Sequence, residues 1–396
     1  MISVEEAKAL ICQSVNKIEK IIEIDVEQAL NFRLAEKVYS KIDLPTFNQS
    51  NVDGYAVSTI EKNDSWKVID EIKAGDNSEL ILKKGECTRI FTGAKVPEGS
   101  LAVIMQEHID VLDKTIKLKP EFELRLGQQI RKKASQIKKG DLALEKNLRL
   151  NSASLSFLNM LGINKVKVYA KPSISLIITG NELQEAGTEL EMGKVYESNS
   201  IALKSALESL NLSAKASYFI KDDKEKLNTC LSTCLKDSDV IILSGGISVG
   251  DYDFVKEVNE ELKTETIFYK VAQKPGKPFF YGKNGDTLIF ALPGNPASAL
   301  TCFYEYILPA LNLLRDENPV FLSQFQAKLK YDYTKKAGLA HFLKAKFENN
   351  EVTVLEGQDS FIMKSFAEAN CFIYLPKELE TIQAGELVEI HILPQS

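Results

Sequence analysis

One stretch near the middle of the chain restricts the fold most. Asp239-Val240-Ile241-Ile242-Leu243 runs straight into Ser244-Gly245-Gly246-Ile247-Ser248-Val249-Gly250-Asp251-Tyr252-Asp253. An unbroken aliphatic run of this length suits a strand buried on both faces, as in a parallel sheet. Beyond Asp253, residues Phe254, Val255, Val258 and Leu262 fall on one helical stripe. A glycine-rich turn between strand and helix lets backbone N–H groups converge on an anion, and the helix dipole adds to the attraction. Asp251 and Asp253 would repel phosphate unless a divalent cation sat between them and the ligand. The loop therefore predicts a phosphorylated ligand accompanied by magnesium.

At 396 residues the chain is too long for one core, so several domains are expected. Its net charge of −6 lacks the basic footprint of nucleic-acid binders. The first residues are acidic and amphipathic rather than signal-like, and no uncharged stretch reaches the length of a membrane span. A cytoplasmic protein is expected, with neither nucleic acid nor membrane as partner. Six cysteines (Cys12, Cys87, Cys230, Cys234, Cys302 and Cys371) and three histidines show no zinc spacing.

The pattern from about Ile2 to Val38 reads as mostly helical, with Val4, Ala7, Leu10 and Ile11 on one stripe. Short alternating runs punctuated by glycine make 48–144 β-rich, and helical patterning returns at Ser152–Leu161. After Lys171-Pro172, strands and helices alternate. Strands are expected at Ile174–Thr179, Ala214–Phe219, Thr266–Val271 and Thr287–Leu292, besides the central one. Helices are expected at Asn199–Leu210, Lys224–Leu235 and Pro296–Leu313. That order predicts a parallel sheet with helices on both faces. Alternating runs from Val320 onwards predict a small β domain.

Ligands of open α/β sheets bind at the carboxyl ends of the strands. Three such ends carry glycine with polar residues: Thr179-Gly180-Asn181-Glu182, the loop from Ser244, and Leu292-Pro293-Gly294-Asn295-Pro296-Ala297-Ser298. Each alone is ordinary turn chemistry. Three on consecutive strands converge on one crevice.

With these motifs stand Leu44–Val57 (LPTFNQSNVDGYAV), Arg89-Ile90-Phe91-Thr92-Gly93-Ala94, Val96-Pro97-Glu98-Gly99, Lys274-Pro275-Gly276-Lys277-Pro278 and Asn370-Cys371-Phe372-Ile373. In content and order they resemble the MoeA family of molybdopterin molybdenumtransferases, whose catalytic half is similar to the gephyrin C-terminal domain. The resemblance implies an α/β-plus-β, multidomain, elongated protomer. Its parts are a linker-like N-terminal domain (1–47 and 138–170), an inserted β-rich domain (48–137), a doubly wound molybdopterin-binding α/β domain (171–315) and a C-terminal β domain (316–396). It also implies a homodimer and insertion of molybdenum from molybdate into adenylylated molybdopterin, with Mg2+-dependent release of AMP. A molybdopterin adenylyltransferase and molybdoenzyme apoproteins become candidate partners.

The resemblance also distributes roles. Glu182, Asp222 and Asp253 follow strands of the α/β domain and are expected to share magnesium and act in catalysis, although carboxylates at helix starts also simply suit the dipole. Gly245, Gly246, Ser248 and Gly250 are expected to bind substrate, with Pro293, Gly294, Asn295 and Ser298. Lys270, Lys274, Lys277 and Lys344 are expected at the oxyanion, the turn lysines presented from a backbone stiffened by Pro275 and Pro278. Asp53 and Thr92, catalytic by resemblance, would reach the neighbouring subunit's site; Asp53-Gly54 on its own reads as a hairpin turn.

Five departures from the family stand out. Ala134-Ser135-Gln136 replaces Gly-Glu-Asp, Lys344 replaces arginine, Leu339 replaces an arginine just upstream, Asn181 replaces aspartate, and Glu197-Ser198-Asn199 replaces Asp-Thr/Ser-Asn. Those at Ser135, Gln136 and Lys344 leave room for a non-catalytic molybdopterin carrier or scaffold. A molybdopterin adenylyltransferase shares only the α/β domain, and no P-loop is present.

Overall fold

The computed structural model describes residues 1–61, 65–247 and 254–394. Of the expected site residues, Ser248, Gly250 and Asp253 lie outside the described residues. The chain divides into two compact units, one formed by Met1–Lys20 with Ala170–Ser396 and the other by Ile21–Tyr169.

Helix α1 (Val4–Ser14) opens the first unit, and Ser3 caps it by accepting the Glu6 N–H at 3.1 Å. Val4, Ala7 and Ile11 bury one face within the core that also holds the α/β sheet, so the first twenty residues join that sheet rather than the linker-like domain. The helix does not run on towards Val38. From Ile21 the β-branched residues alternate in exposure, and Ile21–Asp25 pairs antiparallel with Lys165–Tyr169.

The α/β sheet is built from β1 (Ile174–Thr179), α2 (Asn199–Ser209), β2 (Ala214–Ile220), α3 (Lys224–Cys234), β3 (Val240–Ser244), α4 (Phe254–Glu261), β4 (Glu265–Tyr269), β5 (Phe280–Asn284), β6 (Thr287–Leu292) and α5 (Pro296–Cys302). Strand order is β2-β1-β3-β6-β5-β4. Every residue of β1, β3 and β6 is buried, which is why their sequences are predominantly apolar rather than alternating. Alternate residues feed opposite faces. Ile174, Leu176, Ile178, Val240, Ile242, Leu288 and Phe290 pack with α1, α2 and α5. Ile177, Ile241, Leu243, Ile289 and Ala291 pack with Leu227 and Leu231 of α3 and Val255 and Val258 of α4. The doubly wound expectation is borne out.

The sheet is not wholly parallel. β5 runs antiparallel to both β6 and β4, and a two-residue turn, Gly285-Asp286, joins β5 to β6 with Gly285 at φ +59°. Gly285-Asp286 at the two central positions is the local signal for that hairpin. The expected long final helix is interrupted by a π-helical segment, Phe303–Ile307, before Leu308–Leu314. Pro309 has no N–H to offer the preceding turn, so the helix widens there.

In the C-terminal β domain, strands Gln324–Leu329, Ala340–Glu348, Glu351–Val354, Cys371–Leu375 and Leu387–Ile392 pair in a ring, because Cys371–Leu375 bonds to both Ala340–Glu348 and Leu387–Ile392. Closure leaves the five strands no free edge between them. Two-residue strand Gln273–Lys274 adds to this ring, parallel to Ala340–His341.

The second unit holds a six-stranded sheet in the order Ala102–Met105, Gly54–Val57, Glu86–Ile90, Ser65–Ile72, Thr115–Leu118, Ile109–Leu112. Apolar clusters cover both its faces. A separate core gathers Val26, Leu34, Leu150, Leu158, Val166 and Val168. The expected β-rich character of this region is borne out. No helix among the described residues is long and apolar enough to cross a membrane.

Candidate active site

The chain leaves β1 for β2 on one side and returns through α3 to β3 on the other. Their carboxyl ends thus diverge at a topological switch point, where open α/β sheets bind ligands. A cleft of about 480 Å3 lies there. It is lined by Thr179, Gly180, Asn181 and Glu182 after β1, Asp222 after β2, Gly245, Gly246 and Ile247 after β3, Phe254 of α4, and Gly294 after β6. The structure brings together Glu182, Asp222, Gly245, Gly246 and Gly294 from the expected set.

Local bonds fix this cleft. Asn181 donates its N–H to Asp222 Oδ2 at 3.3 Å, and Asp222 returns its own N–H to Asn181 Oδ1 at 3.2 Å. That reciprocal pair ties the ends of β1 and β2 and holds the Asp222 carboxylate at the rim. Gly245 donates its N–H to Leu292 O at 3.3 Å, joining β3 to the end of β6. It has φ +89°, and a Cβ there would sit 2.2 Å from the Thr179 carbonyl oxygen, so only glycine lets the two strand ends approach.

Asn199, at the start of α2, bridges the floor. Its Nδ2 donates to Ser244 Oγ and to Gly294 O, both at 2.8 Å. Asn199 Oδ1 and Thr179 Oγ1 are buried with no partner among the described residues. Buried acceptors are normally satisfied, so these two mark polar capacity beneath the cleft. Asn199 carries no charge, and its sequence signal is the Glu197-Ser198-Asn199 triplet rather than any periodicity.

Other expected residues are placed differently. Pro293 is buried and Ser298 is only 3% exposed; neither lines the cleft. Asn295 is exposed and donates through Nδ2 to Ser360 Oγ at 2.8 Å, while Ala297 N–H donates to Ser360 O at 3.1 Å. Lys274 and Lys277 are exposed on either side of the Pro275-Gly276 turn, and Lys270 is half-buried with its Nζ 5.3 Å from the Tyr269 ring centroid. The turn packs on α5, where a Cβ at Gly276 would meet Cys302 Sγ at 2.5 Å and Ser298 O at 3.7 Å. The lysines therefore flank the helix that follows the Pro293-Gly294-Asn295 loop.

Lys344 requires a correction. It is 2% exposed, and its Nζ donates to the carbonyls of Gly357 (2.7 Å), Ile362 (2.9 Å) and Asp359 (3.2 Å). All three ammonium donors are consumed, so it clamps the 357–362 loop instead of meeting an oxyanion. Burial pushes its ammonium below the usual lysine range.

In the second unit, Asp53 Oδ1 accepts from Thr92 N–H and Thr92 Oγ1, both at 2.8 Å. Those two bonds, with lesser help from Arg89, hold the exposed Asp53 carboxyl below the ordinary aspartate range. Arg89 itself lies 5.0 Å from the ring centroids of both Tyr55 and Phe91 and donates to Gly54 O (3.3 Å) and Gln106 Oε1 (2.7 Å). Asp53-Gly54 is not a hairpin turn. Gly54 begins a strand paired on both sides, and a Cβ there would lie 1.9 Å from Ile104 O.

For a metal, Glu182 and Asp222 are the carboxylates sharing the cleft, and no group of three or more ligating side chains occurs among the described residues.

Family models match along the chain: the MoeA N-terminal region (domain I and II) over residues 2–162, a probable molybdopterin binding domain over 175–313, and the MoeA C-terminal region (domain IV) over 326–393. A molybdopterin molybdenumtransferase of Haemophilus influenzae is 33% identical, with 98% of each chain covered. One from Staphylococcus epidermidis is 32% identical over 100% of this chain and 96% of its own. A solved MoeA structure from Pyrococcus horikoshii is 32% identical with a TM-score of 0.80, covering 99% of both chains.

Proposed function

Since the chain belongs to the MoeA family, we propose that it is a molybdopterin molybdenumtransferase that takes adenylylated molybdopterin and molybdate and releases AMP. The observation that carries this reading is the switch-point cleft, where glycine backbone and two carboxylates meet on four strand ends.

In this reading the Gly245–Ile247 backbone and the Gly294 loop cradle the phosphates of the pterin substrate, with N–H groups as donors. Gly245 allows that approach because no side chain separates β3 from β1. Lys270, Lys274 and Lys277 hold the oxyanion, drawing molybdate to the side of α5. Glu182 and Asp222 are hard oxygen donors suited to magnesium, an ion that keeps several positions for water and substrate phosphate. They would hold it, and when bound it neutralises charge on the bridging and leaving oxygens. Asn181 keeps Asp222 aimed into the cleft.

Asp53 and Thr92 belong to the same reaction through a homodimer, each subunit lending them to its partner's cleft. Thr92 fixes the carboxylate rotamer and keeps Asp53 ionised. Mixing two inactive variants tests this arrangement. Asp53→Ala and Glu182→Ala should each lose molybdenum transfer, measured as metal bound to the pterin dithiolene. Subunit exchange should then restore about a quarter of wild-type activity, because half the dimers are mixed and each mixed dimer keeps one intact site. Wild-type transfer by either variant alone, or no recovery after confirmed exchange, would contradict these assignments.

A further inference from the structure

The turn that carries Lys274 and Lys277 is fastened from beneath by a buried polar group. Gln273 is 0% exposed. Its Nε2 donates to the Pro275 carbonyl at 2.9 Å and lies 3.8 Å from Cys302 Sγ. Its Oε1 accepts from the Tyr306 hydroxyl. The Cys302 thiol points at the Gly276 carbonyl at 3.7 Å. Cys302 and Tyr306 are themselves fully buried, on α5 and the π-helical segment after it. Gly276 has φ +87°, and a Cβ would fall 2.9 Å from Gln273 Nε2 as well as against Cys302.

A primary amide with no exposure is a poor choice for stability alone. An apolar side chain of similar shape, such as methionine, would fill the space without desolvating polar atoms. Satisfied buried networks are valuable for geometry, because each bond excludes alternative arrangements of its partners. Here the bonds converge on consecutive carbonyls, Pro275 and Gly276, between the two exposed lysines. Gln273 is also paired through its strand to Ala340 of the C-terminal ring, which anchors it from the other side. The network reaches the backbone between the lysines, at Pro275 O and Gly276 O.

We propose that Gln273, braced by Tyr306, is a positioning residue that sets the aim of Lys274 and Lys277 by bolting the Pro275-Gly276 turn to α5. This rests on the reading that those lysines hold the oxyanion. It makes molybdate capture, and not pterin binding, the step that depends on the network.

The experiment is steady-state kinetics with each substrate varied in turn for four full-length variants. Gln273→Met removes the donor and acceptor while keeping the volume. Tyr306→Phe removes the brace, and the double variant removes both, so that the Tyr306 hydroxyl is not left stranded. Lys274→Ala tests the underlying reading. Gln273→Met and the double variant should raise the KM for molybdate about tenfold, the factor that one net hydrogen bond controls, with the KM for adenylylated molybdopterin unchanged. The double variant should regain thermal stability relative to Gln273→Met while keeping the raised KM, because replacing both partners with apolar groups is close to neutral. A merely structural role would make KM recover with stability, and that result overturns the proposal. A raised molybdate KM in Lys274→Ala with wild-type KM in both Gln273 variants also overturns it while sparing the oxyanion reading. An unchanged molybdate KM in Lys274→Ala overturns both.

Discussion

Gly245→Ala tests whether the ends of β1 and β3 approach as closely as the cleft requires. The backbone there has φ +89°, a conformation that costs an L-residue about 1–2 kcal/mol. The added methyl meets backbone: its Cβ would lie 2.2 Å from Thr179 O. That carbonyl cannot rotate away, since Thr179 ends a strand bonded on both sides. Overpacking of this kind costs about 1–3 kcal/mol. Together the two effects predict a loss of about 4 kcal/mol, a large share of ordinary domain stability. Gly187, in the same unit, supplies the control. It has φ +93° and nothing within 4 Å of the position a Cβ would take, so Gly187→Ala should cost only the conformational part. The difference of about 2 kcal/mol is the packing contribution alone. Far-UV circular dichroism in denaturant measures both, and hydrogen exchange should show the Gly245 loss along Ile174–Thr179 and Val240–Ser244. Trp66, the only tryptophan, is buried in the other unit, and its fluorescence transition should not move. Equal destabilisation by the two alanines would refute the close approach.

Three further outcomes are expected. Thr92→Val removes one of the two bonds that depress Asp53. A depressed carboxyl stays ionised to lower pH, so losing that bond should move the acid limb of the turnover profile to higher pH, and an unmoved limb would contradict the role of Thr92. Lys344→Met should remove one donor from each of three part-buried carbonyls, of which Gly357 O keeps Ser365 Oγ and Asp359 O keeps the Ile362 N–H, cost about 1 kcal/mol, and speed hydrogen exchange over residues 357–362. Because Lys344 is spent inside the fold, the same variant should leave the KM for molybdate unchanged; a rise would return it to the oxyanion site. Glu182→Gln and Asp222→Asn should each raise the magnesium concentration needed for half-maximal turnover without altering the circular dichroism spectrum, and an unchanged requirement in both would remove the metal from this cleft.

Periodicity revealed the framework of the α/β domain because its central strands have one environment on both faces. Ile174–Thr179 and Thr287–Leu292 could be bounded from apolar content alone, and the glycines at the strand ends located the crevice. Residues whose role depends on distant contacts were not legible. Gly54 looked like turn chemistry, since an Asp-Gly pair does not announce the Ile104 carbonyl lying against it. Lys344 carried the charge an oxyanion site wants, but sequence cannot show that three carbonyls from 357–362 already claim that charge. Asn199 and Gln273 are neutral amides, without any periodic or charge signature; the Glu197-Ser198-Asn199 triplet gave Asn199 a motif but no role, and only its bonds mark Gln273. Ile21–Asp25 was hidden for a related reason: its partner strand, Lys165–Tyr169, lies more than a hundred residues away. The chain's departures from its family also look different in three dimensions. Asn181 still supplies the acceptor that Asp222 N–H needs, so that substitution preserves the brace.

The most direct test of the account is a single-turnover assay of the purified protein with adenylylated molybdopterin and Mg2+, following AMP with and without molybdate. The account predicts AMP release that depends on molybdate. Tight binding of the adenylylated pterin with no AMP release under either condition would contradict it, and would leave a carrier in place of the transferase.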